Sequence, residues 1–446
     1  MDNIKKLPKS NFSLSKSIIA SNNALYKDLE IKEVLNKQID LIKPSKDIID
    51  KINLISKEFI VELGTKLKSK KITADIFIGG SIAKNTLVKK DKYDIDLFVR
   101  FDKKYEDKIS DILGKNLGKE AKKIHGSRDY YQIIKDGIII EIIPVIKIKK
   151  PDEAKNVTDL SYFHVNYIVG KINANKKLAD EIILAKAFCH AQECYGAESY
   201  INGFSGYALE LLISHYGSFL NFMKDIANAK EDEKIIIDDS KFYKRKEDVL
   251  TEVNEAKIQN PIILIDPTYK ERNALASLSN DTFYKLKKAC SDFLKNPSSS
   301  FFEKKDVTHD LKKYKDLKVI SIKTNKQKGD IAGTKSKKFF GFFLFNLRKE
   351  FIVKKSEFIY DDVKNIANFY LVLDKKPEEI IKGPPITNVF GLTEFKKAHP
   401  NAFIKEQYSY SKIKHDKSFE EFFYEFLKRD KKIIKDMSIK EMKLEK

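Results

Sequence analysis

Three features of the sequence predict an α+β multidomain architecture. The chain has 446 residues, which is too long for one ordinary hydrophobic core and suits about two to four domains. Strand-like segments crowd residues 45–150, whereas apolar residues recur at the helical period between residues 155 and 225. Strand and helix patterns alternate again beyond residue 300. This last alternation predicts a further small α+β domain.

Residues 45–152 are predicted to form a compact catalytic head. A helix is predicted over Lys46–Leu67, where isoleucines recur three and four residues apart. Strand segments follow, namely ADIFI, DIDLFVRF and the long run YYQIIKDGIIIEIIPVI. Within that run, Asp136-Gly137 separates two β-branched segments and predicts a hairpin turn.

Changes of pattern divide the rest of the chain. The predicted parts are an N-terminal extension at 1–44, a helical neck at 153–290, an α+β body at 291–385 and a tail at 386–446. In the neck, ILIDPTYKERNALASLS predicts a strand that runs into a turn and a helix. The tail after Ser418 is predicted to be helical and rich in lysine.

Composition limits the partners and the location. A formal net charge of +20 favours binding to polyanions, although a lysine-rich proteome would give the same excess. Cys189, Cys194 and Cys290 are too few for a disulfide framework and are predicted to be small buried residues of a cytoplasmic protein. The first residues contain no apolar run long enough for a signal peptide or a membrane span.

The strongest local signal is IFIGGSIAKNTLVKKDKYDIDLFV. Gly79-Gly80-Ser81 follows an apolar strand and opens a predicted helix, so backbone N–H groups, the Ser81 hydroxyl and the Lys84 ammonium could meet a phosphate. Gly-Ser turns are common in all proteins, and an ordinary turn explains this segment alone equally well.

Asp94 and Asp96 strengthen the interpretation. Residues two apart in a strand point to the same face, so these carboxylates converge while Ile95 and Leu97 point into the core. Adjacent acids repel each other, and a hard divalent cation such as Mg²⁺ is the natural partner. The alternative is a solvated strand end, or pairing with one of the neighbouring lysines Lys89, Lys90 and Lys92.

Glu141 is a single acid within the apolar run GIIIEIIPVIKI. A lone buried carboxylate is costly unless it is paired or bound to metal. If its strand lies beside the DID strand, Glu141 completes a cluster of three carboxylates. Such a cluster can hold two metal ions, one for the attacking oxygen and one for the leaving pyrophosphate. Together the three elements predict nucleotidyl transfer.

The order of these elements resembles the DNA polymerase β-like nucleotidyltransferase superfamily. Further segments, among them SYFHVNY, LAKAFCHAQECYGAE, GFSGYALELLI and DPTYKERN, make the chain similar to archaeal (class I) CCA-adding enzymes over residues 45–430. The resemblance implies a mixed-sheet nucleotidyltransferase head, a helical neck, and an α+β body and tail.

The resemblance also implies roles for individual residues. The metal-binding acids of the family match Asp94, Asp96 and Glu141, although the third acid is usually Asp. Gly80 and Ser81 match the turn that contacts the triphosphate, and Lys84 replaces a usual Arg, which removes its bidentate geometry.

The neck supplies the remaining matches. His164, Lys186 and Tyr195 correspond to family residues near the nucleotide, and Arg272 to the arginine that helps select C or A. Taken singly, each neck residue is explained better without a functional role: Lys186 as an ordinary helix lysine whose ammonium reaches the surface, Tyr195 as a core residue near a helix cap, and His164 as a satisfied polar residue. The alternative for Arg272 is an ion pair with Glu271 or Asp266.

The implied function is template-independent addition of C, C and A to tRNA from CTP and ATP with Mg²⁺. In the family, body and tail hold the acceptor stem and the TΨC arm, so tRNA is the expected partner. The alternatives are a poly(A) polymerase or an oligonucleotide synthetase on the same head, or an inactive RNA-binding relative. The oligomeric state, a homodimer included, is left open by the sequence.

Overall fold

The computed structural model describes residues 11–126, 128–230, 233–252, 259–304, 306–325 and 327–445. The chain divides into two compact units, Met1–Ala197 with Ile201–Lys305 and Glu198–Tyr200 with Asp306–Lys446. No helix within the described residues combines the length and the apolar character needed to cross a membrane. The finer division into five parts stays a prediction.

The first unit begins with two helices. α1 spans Asn11–Ile42 and α2 spans Lys46–Ser69, with Ser45 as the N-cap of the latter. The helix predicted at Lys46–Leu67 is confirmed. The N-terminal extension, for which the sequence predicted no element, contains α1, whose Ile31 and Leu35 are buried with apolar residues of the neck. Residues 1–10 lie outside the described residues.

A five-stranded mixed sheet forms the head. Its elements are β1 (Ala74–Ile78), α3 (Gly80–Ala83), β2 (Asp94–Phe101), α4 (Ile109–Asn116), β3 (Lys122–Ile124), β4 (Tyr130–Lys135) and β5 (Ile138–Ile146). The strand order is β1-β2-β5-β4-β3, and β2 and β5 form the only parallel pair of this sheet. The predicted hairpin is present between β4 and β5, where Asp136 and Gly137 have φ of 51° and 80° as a type I′ turn requires.

Alternation along β2 separates the core from the site. Ile95, Leu97, Val99 and Phe101 have no exposed surface and pack with residues of α2 and β5 in the head core. The residues between them, starting with Asp94, face the opposite side of the sheet. This apolar side holds β2 in place, so that its acidic side keeps a defined position.

The neck is built from helices and one small strand group. The helices are α5 (Ser161–Ala174), α6 (Leu178–Ala191), α7 (Gly206–Tyr216), α8 (Phe219–Asn228) and α9 (Lys246–Glu252), followed after the strands by α10 (Asn280–Lys295). The strands are β6 (Ile235–Ile237), β7 (Ile262–Asp266) and β8 (Tyr269–Asn273). The strand predicted in ILIDPTYKERNALASLS is β7, and the predicted turn follows it, but the predicted helix is wrong, because the turn leads into the antiparallel strand β8.

The neck core is aromatic. Phe188, Phe204, Phe219, Phe222 and Phe293 are fully buried in it. The three cysteines are unpaired and buried, as the sequence predicted, and belong to the same core.

The second unit is α+β, as predicted. Its elements are α11 (Val307–Lys312), β9 (Leu317–Thr324), α12 (Gly329–Leu347), β10 (Phe351–Asp361), β11 (Ile366–Lys375), β12 (Glu379–Pro385), α13 (Val389–Ala398), β13 (Phe403–Lys405), β14 (Tyr408–Ile413), α14 (Phe419–Arg429), α15 (Lys431–Asp436) and β15 (Ile439–Leu444). One sheet has the order β10-β11-β9-β15 and the other β12-β14-β13. The tail after Ser418 is helical over α14 and α15, as predicted, but it ends in the strand β15, which pairs with β9.

Candidate active site

Three carboxylates share one face of two neighbouring strands. The parallel register of β2 and β5 places Asp96 directly beside Glu141. Asp94 lies two residues earlier on β2 and therefore on the same face, while Ile95 is buried in the core. The adjacency that a three-carboxylate cluster requires is present.

The three carboxylates on this face repel one another when ionised, which opposes ionisation of all three. Asp96 keeps a partly exposed surface, but protein atoms surround its carboxylate densely, and this burial, with the charges of Asp94 and Glu141, raises its pKa to about 7. Burial raises the pKa of Glu141 as well, against a hydrogen bond from Gln132. A cation relieves such repulsion most directly. The donor set therefore fits a hard divalent ion.

The side chains of the cluster are turned towards protein partners. The Lys90 ammonium forms an ion pair with Asp94, which is the alternative that the sequence left open. Gln132, opposite Glu141 on β4, donates from Nε2 to Glu141 Oε1 at 2.7 Å. Within the described residues, no three His, Cys, Asp or Glu side chains converge closely enough to hold a metal ion.

The Gly79-Gly80-Ser81 turn lies against the carboxylates. The Gly79 N–H donates to the Asp96 carbonyl at 2.8 Å. Gly80 has a φ of +58°, and a Cβ there would lie 1.8 Å from Asp96 Oδ2, so this position requires glycine. Ser81 lies in α3, which is a single turn. One turn aligns too few peptide dipoles for the helix N-terminal charge that the sequence predicted.

Lys84 and Lys186 converge on one carboxylate. Lys84 Nζ lies 2.7 Å from Glu210 Oε2, and Lys186 Nζ lies 2.7 Å from Glu210 Oε1. Lys186 also donates to Thr86 Oγ1 at 2.9 Å. All three charged side chains are buried. The interpretation of Lys186 as an ordinary surface-reaching lysine is wrong, because its ammonium is buried with its stem.

Tyr195 borders the same cluster. A Cβ placed on Gly206 would lie 2.9 Å from the Tyr195 hydroxyl oxygen and 3.8 Å from Lys186 Cε. The tyrosine hydroxyl thus lies near the Lys186 side chain, where α7 begins. Ser205 caps this helix by accepting a hydrogen bond from the Ala208 N–H at 3.2 Å, which is a structural role.

His164 and Arg272 converge on Asp266. Arg272 Nη1 donates to Asp266 Oδ2 at 2.5 Å, which is one of the ion pairs considered from the sequence. His164 Nε2 lies 3.0 Å from the same oxygen but lacks the alignment of a hydrogen bond. The Tyr207 hydroxyl donates to Asp266 Oδ1 at 3.0 Å. Arg272 also lines a cavity of about 460 Å³ together with Tyr269 and Ser205.

The pKa values of this group follow from burial and from its mutual contacts. Burial acts to raise the pKa of Asp266, but contacts with His164 and Arg272 outweigh it and hold that pKa well below the usual range. Burial lowers the pKa of His164, and Asp266 opposes this without reversing it. Asp266 is therefore ionised and His164 neutral at pH 7.

Comparisons with known proteins give the family. The family described as tRNA nucleotidyltransferase, second domain, matches residues 180–303. The CCA-adding enzyme of Nanoarchaeum equitans is 34% identical over 339 residues, which cover 74% of this chain and 81% of that enzyme. The CCA-adding enzyme of Methanocaldococcus jannaschii is 30% identical over 398 residues, which cover 85% of this chain and 86% of that enzyme. The chain belongs to the CCA-adding enzyme family.

A solved structure of Cid1, which has RNA terminal uridylyl transferase activity, aligns with this chain. The alignment covers 62% of this chain and 99% of the Cid1 chain. The identity is 15% and the TM-score is 0.49. A score below 0.5 adds no weight to the assignment, which depends on the CCA-adding enzymes.

Five of the seven nucleotide residues predicted for this member of the CCA-adding enzyme family form two neighbouring groups. Lys84, Lys186 and Tyr195 lie near Glu210, while His164 and Arg272 lie on Asp266. The Tyr207 ring connects the groups. It stacks on the His164 ring at a centroid distance of 4.1 Å, and Lys84 Nζ lies 5.9 Å from its centroid.

Two acids of the candidate site were missed as functional candidates. Glu210 is a single acid in the apolar segment ALELLI, and Asp266 ends the apolar strand IILID. The argument that selected Glu141, a lone acid in an apolar run, applies equally to both. Tyr207 was also missed, and nothing in its local sequence distinguishes it from a packing tyrosine.

Proposed function

We propose that this chain adds C, C and A to the 3′ end of tRNA, using CTP and ATP and no nucleic acid template. Relationship to CCA-adding enzymes over most of both chains supports the reaction. The observation that carries the chemistry is the register of β2 and β5, which places Asp96 beside Glu141 and Asp94 on the same face. Such paired strands suit in-line transfer of a nucleotidyl group.

Asp94, Asp96 and Glu141 would hold Mg²⁺, which supplies positive charge to the attacking 3′-hydroxyl and to the departing pyrophosphate. To bind it, Asp94 would exchange the Lys90 ammonium for the metal ion, and Glu141 would turn from Gln132. Glu141 keeps the charge of the usual Asp on a side chain that is one methylene longer.

The remaining residues bind and orient the nucleotide. Lys84 and Lys186 supply charge for the triphosphate from the buried side of the site. Tyr195 and Ser81 offer hydroxyl groups at its edges, and Gly80 lets the backbone approach closely. Positioning and charge neutralisation then account for most of the rate.

Arg272 is proposed to read the incoming base. Its guanidinium is held by Asp266 and borders the cavity of about 460 Å³, which is large enough for a nucleobase. A planar guanidinium donates in a fixed fork, which suits the acceptors that cytosine and adenine both present. Neutral His164 supports this arrangement by lying 3.0 Å from the same Asp266 oxygen.

The second unit is proposed to hold the acceptor stem and the TΨC arm of tRNA. Exposed lysines on its strands, such as Lys355, Lys382 and Lys405, suit phosphate contacts. Duplex RNA is recognised mainly through shape, phosphates and 2′-hydroxyls, for which scattered lysines are adequate. The predicted cytoplasmic location agrees with this substrate.

Incubation of tRNA transcripts that end in -N, -NC or -NCC with single and mixed nucleoside triphosphates tests the reaction. We expect addition of CCA, CA and A respectively, with a stop after the final A. Long A tails without C would replace this proposal with a poly(A) polymerase.

Substitution of Asp94 and Asp96 by alanine tests the site. We expect incorporation to be abolished while tRNA affinity is retained. Asp111→Ala, which removes an exposed acid of the same head, is the matched control and should stay active. If the unsubstituted protein binds tRNA but neither incorporates nor binds nucleotide with Mg²⁺, it is an inactive RNA-binding relative.

A further inference from the structure

Glu210 is the centre of a buried charge cluster that joins three separate segments. Its partners are Lys84, 126 residues earlier in the chain, and Lys186, 24 residues earlier on α6. Only 1% of the Glu210 side chain is exposed, and each of its oxygens accepts from one ammonium at 2.7 Å. Both carboxylate oxygens therefore accept from lysines, and these lysines lie within electrostatic range of Asp96 on β2.

The cluster contains more positive than negative charge. Two ammonium groups share one carboxylate, and the uncharged partner Thr86 accepts from Lys186. Tyr207 lies on the other side of Lys84, at 5.9 Å from ring centroid to Nζ. Beyond the cluster, the charge of Asp96 acts on Lys186, and Lys84 in turn opposes the rise of the Asp96 pKa.

Glu210 has an electrostatic effect on both lysines. Burial alone lowers the pKa of Lys186, and Glu210 counters this, while the neighbouring Lys84 charge adds to the lowering. Burial likewise acts to raise the pKa of Glu210, but the two ammonium groups pull it below the usual value. Without the carboxylate, two buried like charges would repel, and one lysine would lose its proton or move.

A purely structural role explains this arrangement poorly. Buried ion pairs stabilise a fold no better than apolar residues of similar size, and a structural pair needs one cation for one carboxylate. Here a second cation is buried beside the first, next to the strand that carries Asp94 and Asp96. Excess positive charge at that place suits a polyanion that binds and leaves.

We propose that Glu210 is a positioning residue for nucleotidyl transfer, which holds the ammonium groups of Lys84 and Lys186 in place for the triphosphate of the incoming nucleotide. The proposal rests on the proposed function, since it assigns the triphosphate to this site. Glu210 itself does not contact the nucleotide and acts through the two lysines.

The test compares Glu210→Gln with a matched loss of another buried carboxylate. Asp159→Asn is the control, because Asp159 is equally buried, pairs with Arg128 and accepts from the Ile146 N–H at 2.8 Å, away from the lysines. The measurements are the affinities for Mg²⁺-pyrophosphate and Mg²⁺-CTP by calorimetry, KM and kcat for CTP, and tRNA affinity.

In Glu210→Gln, the Kd for pyrophosphate and for CTP and the KM for CTP should each rise about tenfold, since charge-assisted contacts are weakened. The affinity for tRNA should stay unchanged, and kcat should fall less than KM rises. Asp159→Asn should lower the melting temperature but leave pyrophosphate affinity within about twofold, because distant sites act independently. Unchanged pyrophosphate affinity in folded Glu210→Gln would overturn the proposal.

Glu210→Asp covers the case in which the glutamine variant fails to fold. It keeps the charge but cannot reach both lysines, so its pyrophosphate affinity should lie between that of the unsubstituted protein and that of Glu210→Gln. An affinity equal to that of the unsubstituted chain would also overturn the proposal. If the unsubstituted protein binds pyrophosphate with the expected dependence on Glu210 but does not add CCA, the proposed function fails and the role of Glu210 stands.

Discussion

Two pairs of acids lie in the same compact unit, yet the pKa values of one pair are shifted in the opposite direction to those of the other. The first pair is Asp96 and Glu141, and the second is Glu210 and Asp266. Burial raises the pKa of Asp96 to about 7 and also raises that of Glu141. The pKa values of Glu210 and Asp266 are lowered, despite the same cost of burial. The environment of each acid, and not its depth, decides the sign.

The difference lies in the partners that the fold supplies. Glu210 faces two lysines, and Asp266 faces Arg272 together with polar groups. Asp96 faces two other carboxylates and a single turn of backbone. Acids with built-in cations orient other side chains, whereas acids without them are suited to an external cation.

The largest expected effect is on Asp96. Asp96→Asn should reduce single-turnover incorporation of CMP into tRNA by on the order of 10³-fold, because a metal-binding carboxylate is lost. Its melting temperature in the absence of divalent ions should be equal to or above that of the unsubstituted protein, because repulsion with Asp94 and Glu141 is relieved. A clear drop in melting temperature would contradict the distinction between acids suited to a metal ion, such as Asp96, and acids that orient other side chains, such as Glu210.

Asp266→Asn, in contrast to Asp96→Asn, should lower the stability of the fold. Loss of this carboxylate leaves the Arg272 guanidinium without its buried partner, which typically costs about 3 kcal/mol. Urea unfolding followed by circular dichroism measures this, with Asp96→Asn as the matched control. We also expect less discrimination between CTP and UTP, because Arg272 is no longer held. Unaltered stability would show that Asp266 does not act as an anchor.

The contributions of two histidines, His164 and His215, to stability are expected to depend on pH in opposite ways. The pKa of His164 is lowered by burial, so its contribution to stability is present above pH 6.5 and is lost as pH falls below that value. The pKa of His215 is raised by its hydrogen bond to Asp239, so its contribution is present below pH 6.5 and is lost as pH rises through the raised pKa.

Melting temperatures measured between pH 5 and 8 test these opposite signs. His164→Asn should flatten the acidic side of the profile, and His215→Asn should flatten the other side. Identical profiles for both variants would contradict the opposite shifts.

The smallest expected effect is that of Lys90. Its ammonium and the Asp94 carboxylate are both partly exposed, so Lys90→Met should change stability by less than about 1 kcal/mol. Because Lys90 competes with a metal ion for Asp94, the Mg²⁺ concentration at half-maximal activity should decrease. An increase would mean that Lys90 contributes to nucleotide binding instead.

Much of the head could be predicted from the sequence because its signals are local. The period of two along DIDLFVRF separated Asp94 and Asp96 from the core, and Asp136-Gly137 marked the hairpin. The strands β8 and β15 were not predicted. Their pairing partners, and not their own patterns, make these segments strands.

The candidate site was predicted only in part for a related reason. Lone acids in apolar runs are visible in the sequence, but Glu141, Glu210 and Asp266 look alike there. The partner of each acid decides its role, and those partners come from distant segments, such as Lys84 for Glu210.

The sequence by itself determined the catalytic strand, its turn and the family, because strand alternation, turn chemistry and motif order are local properties. Only the tertiary structure decided that Asp96 lies beside Glu141 and that Glu210 joins Lys84 to Lys186. Electrostatic interaction depends on distance in space, which strand pairing and helix packing set over more than a hundred residues of chain. For this reason the acids suited to metal and the acids that orient lysine and arginine could be separated only in the folded chain.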